Sequence, residues 1–167
     1  NVLAVDKDAD QIKDNPCVRG GYCSFEILQK DLLEIQMDNT FDMVTCISVL
    51  EHNKDHLPVV KGMAKMLKPG GVLIMTFPFN EEEYIPNAYQ LPLAGYGRDA
   101  GPNNICQMYS KKEVELWCKE ANLTLEDQQY WKAFTGKYWT YGQRMWPMKQ
   151  VSKTEDHQLT CMTLKKN

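Results

Sequence analysis

Few side chains in this sequence have both the chemistry and the setting to act on a ligand. His52 follows an apolar run at 41–50, FDMVTCISVL, and histidine titrates in the range a general base needs near neutral pH. It is the candidate base. Asp6 and Asp31 each stand just past a short strand-like stretch. A carboxylate there can accept two strong hydrogen bonds from a ligand, or it can simply form a turn or cap a helix. The six cysteines, 17, 23, 46, 106, 118 and 161, contain no CxxC pair and read as reduced, with several placed in apolar patterns where a thiol acts as a small hydrophobe. His52, His56 and His157 are not joined by carboxylates at zinc-ligand spacing, so no metal is expected.

These residues need a scaffold that brings strand ends together. Residues 1–5 read as a strand closing on Asp6, and Asp8 could cap a helix over 8–13. Residues 24–28 read as a second strand, leading into Gln29, Lys30, Asp31, Leu32 and Leu33. The run at 41–50 is expected to be a strand buried on both faces, with Glu51 and His52 as the polar rim where it leaves the sheet. Leu57, Val60, Met63, Ala64 and Leu67 recur at spacings of three and four, which predicts an amphipathic helix. Pro69, Gly70 and Gly71 stop it, and 71–79, GVLIMTFPF, is another apolar strand, completing a β-α-β unit of parallel strands. Binding crevices of such sheets lie outside the carboxyl ends of the strands.

Residues 80–104 form a long irregular insertion, acidic at Glu81, Glu82 and Glu83; loops of that length commonly act as lids or binding loops. Ser110 and Glu113 form a capping-box pair opening a helix, a strand is expected over 123–131, and 158–164 reads as the last strand. Tyr84, Tyr89 and Tyr96 in the insertion, and Trp139 and Tyr141 in the aromatic stretch 130–146, are candidates to line an acceptor pocket. Aromatics at such density also build hairpin cores.

The chain has 167 residues with a net charge of -3. It is expected to be a single domain with a cofactor-side core (1–79), a lid or insertion (80–108) and a C-terminal helix with strands (109–167). The acidic balance argues against nucleic acid as a partner. No apolar segment is long enough to span a bilayer, and the first residues show no basic region followed by a hydrophobic one; no export, no membrane association and a cytoplasmic location are expected.

In order and spacing, VLAVDKD (2–8), KDL (30–32), FDMVTCISVLEH (41–52), LKPGGVLIMTFP (67–78) and YSKKEVELWCKEANLTLED (109–127) resemble the second to sixth strands of class I S-adenosylmethionine-dependent methyltransferases. The resemblance implies an α/β fold, a Rossmann-like and mostly parallel sheet with helices on both faces, starting at the family's second strand. It implies S-adenosyl-L-methionine as cofactor and methyl transfer to a small-molecule or sugar acceptor. Asp6 would take the ribose hydroxyls, with Lys7 near the adenine. Asp31 would take the adenine amino group, with the Leu32 backbone N–H beside it. Cys46, Ile47 and Ser48 would line the methionine half, and His52 would serve as base toward a hydroxyl nucleophile.

The family's glycine-rich loop, which ends its first strand, is not in this sequence. In the family's order 3-2-1-4-5-7-6 that strand is central, so the chain is expected to be a fragment that binds the cofactor weakly. Three arrangements are open: the missing segment exists in the natural protein, the second and fourth strands pair directly, or another chain fills the gap and makes a homodimer. The alternatives to an enzyme are a non-catalytic methyltransferase-like scaffold or binding domain, and a nicotinamide-dependent oxidoreductase, which LKPGG does not favour.

Overall fold

A computed structural model describes residues 2–8, 10, 25–95 and 104–167. The expected helix over 8–13, the loop that follows it, Cys17, Cys23 and Tyr96 lie wholly or mostly outside them. The chain divides into two compact units, Asn1–Met37 and Asp38–Asn167.

In the first unit, β1 (Leu3–Asp6) and β2 (Glu26–Gln29) pair in parallel, with Asp6 opposite Gln29. Asp31 follows β2 as the N-cap of a 3-10 turn, Leu32–Glu34.

The second unit is a five-stranded sheet in the order β3-β4-β7-β5-β6. β3 (Phe41–Ile47) runs parallel to β4 (Leu67–Pro78), and β7 (Leu159–Lys166), β5 (Leu123–Phe134) and β6 (Arg144–Val151) complete it with antiparallel pairs. The fold is the expected Rossmann-like α/β class with a mixed sheet. Within it, β1-β2 reproduces the 3-2 part of the family order and β3-β4-β7-β5 the 4-5-7-6 part; β6 is additional. β1 and β3, which match the family's second and fourth strands, belong to different sheets.

Helix α1 (His56–Met66) buries Val59, Val60, Met63, Ala64 and Met66; Val60, Met63 and Ala64 are the expected stripe, whereas Leu57 is half-buried and Leu67 already belongs to β4, and Pro58 is tolerated because it falls in the first turn. Lys68 and Asp42 tie β4 to β3 at 2.8 Å, and the register shifts between Phe41 and Met43 where Pro69 and Gly70 pass. Alternate residues of β4 then go to the core: Leu73, Met75 and Phe77 have no exposed surface. Each such side chain stabilises the fold by about 2 kcal/mol through removal from water. Helix α2 (Lys111–Glu120) opens on the full capping box, with the Glu113 carboxylate accepting the Ser110 backbone N–H at 2.9 Å.

Two expectations change here. β3 was read as buried on both faces, yet it is an edge strand on which Met43 and Ile47 are more than half exposed and Cys46 is buried. Glu51 was read as polar rim, yet it is only 3% exposed. The reason is tertiary: the segment around Cys106 to Tyr109 covers the strand exit, with Gln107 N donating to Glu51 O at 2.9 Å and the Tyr109 hydroxyl to Leu50 O at 2.9 Å.

The insertion is pinned at both of its described ends. Asn87 is its main anchor, accepting the backbone N–H groups of Tyr89 (3.1 Å) and Cys106 (3.2 Å) and donating to Asn104 O. On the other side the turn after β5 holds it, through Gly95 N to Thr140 O at 3.0 Å and the Lys137–Glu82 ion pair at 2.8 Å. That turn depends on Gln158, fully buried, whose Oε1 accepts from both Ala133 N and Phe134 N at 3.0 Å while its Nε2 donates to Gly136 O at 2.6 Å.

Candidate active site

In the first unit the parallel pairing puts Asp6 and Asp31 past the same end of the two strands. Both are exposed, and each spends one carboxylate oxygen on a local turn: Asp6 Oδ1 accepts from Asp8 N at 2.8 Å, and Asp31 Oδ1 from Leu33 N at 2.9 Å. The second oxygen of each carries no bond among the described residues. Lys7 presents its carbonyl to Gln29 Nε2 at 3.3 Å. The N–H of Leu32, first in its 3-10 turn, has no carbonyl partner within that turn. Each acid thus keeps one oxygen without a hydrogen-bond partner among the described residues.

In the second unit β3 and β4 run parallel, so their carboxyl ends share one edge. Ser48 leaves β3 there with φ of 52°, an uncommon conformation for a side chain other than glycine. Ile47 is exposed and Cys46 buried, its thiol pushed up to about 11 by burial. Residues Leu50–His52 form a 3-10 turn. The His52 Nδ1 lies 2.7 Å from Ile105 O. A carbonyl can only accept, so in the neutral ring Nδ1 carries the proton and Nε2 keeps its lone pair. The ring is exposed, which leaves that lone pair available.

Beside it is a cleft of about 400 Å³ lined by Lys54, Asp55, Tyr84, Asn87, Ile105 and Gln107, among others. Its wall is already hydrogen-bonded: the Tyr84 hydroxyl donates to Gln107 Oε1, and Gln107 Nε2 to Asn53 O. Of the four candidates for the acceptor pocket within the described residues, only Tyr84 lines this cleft. Tyr89 packs toward Cys106. Trp139 stacks edge-on against Phe134 at 5.0 Å and Tyr141 against Tyr138 at 5.3 Å, which makes them part of the turn.

Glu51 went unnoticed in the sequence as a site residue. Burial raises its carboxyl above the usual range, and its Oε2 is buried with no hydrogen-bond partner. The signal was an acid directly after the apolar Val49-Leu50 pair, which reads equally well as a strand rim. Among the described residues no three His, Cys, Asp or Glu side chains gather as a metal site, and no helix is long and apolar enough to cross a membrane.

A family model described as a methyltransferase domain matches residues 2–128. The chain belongs to that family. Among the curated relatives of this methyltransferase domain, the ubiquinone biosynthesis O-methyltransferase of Xanthomonas campestris pv. campestris is 31% identical over 100 residues, which is 57% of this chain and 40% of the relative. The chain spans less than half the length of such relatives, 40% to 47%. Among solved structures, the 1,6-didemethyltoxoflavin-N1-methyltransferase of Burkholderia thailandensis, with bound 1,6-didemethyltoxoflavin and S-adenosylhomocysteine, superposes with a TM-score of 0.62 at 13% identity, covering 99% of this chain and 61% of that one. The cyclase SpnF has a TM-score of 0.66 at 13% identity, covering 99% and 66%. At such identities these two share the fold, and a cyclase among them shows that the methyltransferase scaffold alone does not fix the chemistry.

Proposed function

We propose that this domain is part of an S-adenosyl-L-methionine-dependent methyltransferase that acts on a small-molecule or sugar acceptor. The observation that carries the reading is the placement of Asp6 and Asp31 at one end of a parallel strand pair, each with a free carboxylate oxygen, in a chain of the methyltransferase family. In this reading Asp6 accepts the ribose hydroxyls, Lys7 flanks the adenine, Asp31 and the Leu32 N–H hold the adenine edge, and Cys46, Ile47 and Ser48 border the methionine half. When bound, the cofactor supplies an electrophilic methyl on a sulfonium.

The remaining work falls to residues of this chain. His52, with Nδ1–H committed to the Ile105 carbonyl, presents Nε2 to take the proton of an acceptor hydroxyl. Tyr84 and the cleft around it orient the acceptor. Collinear placement of nucleophile and methyl group is the main source of acceleration in such a displacement. The O-methyltransferase names of the curated relatives support a hydroxyl acceptor.

The test is titration of S-adenosylhomocysteine into the chain by calorimetry or NMR. Asp6→Asn and Asp31→Asn are each expected to weaken binding about tenfold through loss of a charged acceptor. Unchanged affinity in both variants would overturn the reading.

A further inference from the structure

The Ile105 carbonyl that keeps the His52 proton on Nδ1 is itself held from behind by one side chain. Asn87 Nδ2 donates to Asn104 O at 3.1 Å and Asn87 Oδ1 accepts from Cys106 N at 3.2 Å, so a single amide grips the residue on either side of Ile105. Ala88 N adds a bond to Cys106 O at 2.7 Å. The orientation of the Asn87 amide is fixed by its partners, because a backbone carbonyl only accepts and a backbone N–H only donates. Residues 104 and 106 thus turn backbone groups toward Asn87 and Ala88, and Ile105 turns its carbonyl the other way, as alternate residues of an extended segment do. There the carbonyl oxygen lies 2.7 Å from His52 Nδ1. Asn87 is half-buried and its Oδ1 also accepts from Tyr89 N at 3.1 Å, which leaves the clamp little freedom to swing.

We propose that Asn87 is a positioning residue for His52: by fixing the segment 104–106 it fixes the Ile105 carbonyl, and through that carbonyl the ring orientation and tautomer that leave Nε2 free to take a proton. The inference rests on the reading of His52 as the base toward an acceptor hydroxyl. Which ring nitrogen carries the proton is set by the hydrogen bond that the other ring nitrogen or its own N–H makes. Without such a partner an exposed imidazole favours the Nε2–H form, which has no lone pair at Nε2 to offer. The same bond serves the product of the proton transfer: once Nε2 is protonated the ring is cationic, and the bond from Nδ1–H to the carbonyl becomes charge-assisted. Asn87 also lines the cleft beside His52, so one residue shapes the surroundings of the acceptor and sets the form of the base.

Long-range proton–nitrogen NMR spectra of the histidine rings, recorded at about pH 8 where an ordinary imidazole is neutral, read the tautomer directly, and His52→Gln assigns the His52 signals. In the unsubstituted chain His52 is expected to favour Nδ1–H over Nε2–H by about tenfold, the worth of one hydrogen bond. Asn87→Ala is expected to lose most of that preference. Asn87→Asp is expected to lose it as well, since it keeps an acceptor for Cys106 N but sets a carboxylate oxygen against the Asn104 carbonyl. His157, whose Nδ1 lies 2.8 Å from Glu155 O and whose ring packs on Phe79 and Tyr130, is the internal reference. The clamp moves the His52 tautomer and leaves that of His157; a shift of both rings alike is general loosening and overturns the inference. If His52 keeps its Nδ1–H preference in folded Asn87→Ala, the inference is overturned while the reading of His52 as base stands. If Asn87→Ala does not fold, Asn87→Asp decides by itself. A proton found on Nε2 of His52 in the unsubstituted chain overturns the base reading and this inference together.

Discussion

The indole N–H of Trp117 on α2 donates to Nδ1 of His56 at the start of α1, at 2.9 Å. The acceptor role fixes the His56 proton on Nε2, and the ring is packed edge-on against Tyr84, Tyr109 and Trp117. Burial lowers its pKa from the ordinary 6.5, while Glu113 and Asp55 pull weakly the other way. The unfolded chain therefore takes up the proton first as pH falls. The contribution of His56 to stability is complete above its ordinary pKa and lost below it, down to the folded value. Denaturant unfolding of His56→Asn, whose amide oxygen can still accept from Trp117, is expected to show a flatter dependence between about pH 7 and pH 5 than the unsubstituted protein. Trp117→Phe should cost about 3 kcal/mol through lost volume and an unpaired His56 nitrogen.

Tyr84 and Gln107 form the polar wall of the cleft, and Gln107 is only 1% exposed. Tyr84→Phe leaves Gln107 Oε1 without its donor and is expected to destabilise by about 1–2 kcal/mol. A double-mutant cycle with Gln107→Leu should give a combined loss smaller than the sum of the two. Strict additivity would mean that the pair does not interact.

Cys106 is 1% exposed and its thiol is pushed up to about 12 by burial, while Cys46 is held at about 11. Thiols alkylate as thiolates. Under native conditions iodoacetamide is expected to label Cys118 and Cys161, both partly exposed, well before Cys46 and Cys106, which should react only on unfolding. Peptide mass spectrometry reads the order directly.

Gly136 admits no side chain: a Cβ there would stand 2.5 Å from Tyr141 Cβ and 2.8 Å from Tyr141 O. Gly136→Ala should force open the turn that carries Lys137 and Thr140. It is expected to cost about 2 kcal/mol and to raise proteolytic sensitivity across the insertion, which that turn holds in place. Unaltered proteolysis with the same stability loss would separate the turn from the insertion.

Local patterns were enough for α1, α2 and six of the seven strands. The three-and-four spacing of α1 and the Ser110–Glu113 box of α2 are properties of neighbouring residues, and the structure follows them. β6 was missed because RMWPMKQV alternates poorly and contains a proline, features that fit an edge strand and little else. The burial of β3 was misread for a related reason: an apolar run records a capacity to be covered, whereas its actual neighbours come from elsewhere in the chain. Glu51 and the tautomer of His52 were equally invisible, since both are set by residues 105–107, remote in sequence. The positions of Asp6 and Asp31 at strand ends were readable because a strand followed by an acid is a local signal.

The Gln158 side chain has a consequence for how this fold tolerates change. β7 pairs with β5 as far as Leu159 opposite Trp131, Gln158 N still donates to Trp131 O, and the Ala133 and Phe134 amides further along β5 are met by one side-chain oxygen. An amide group is therefore acting as a splint for missing backbone, and its reach, set by two methylenes, measures the gap. Asparagine would fall short, and glutamate would reach but set a carboxylate against the Gly136 carbonyl. At this one position chain length and chemistry are both specified, so drift in the aromatic turn it braces must stop at the residue that spans it.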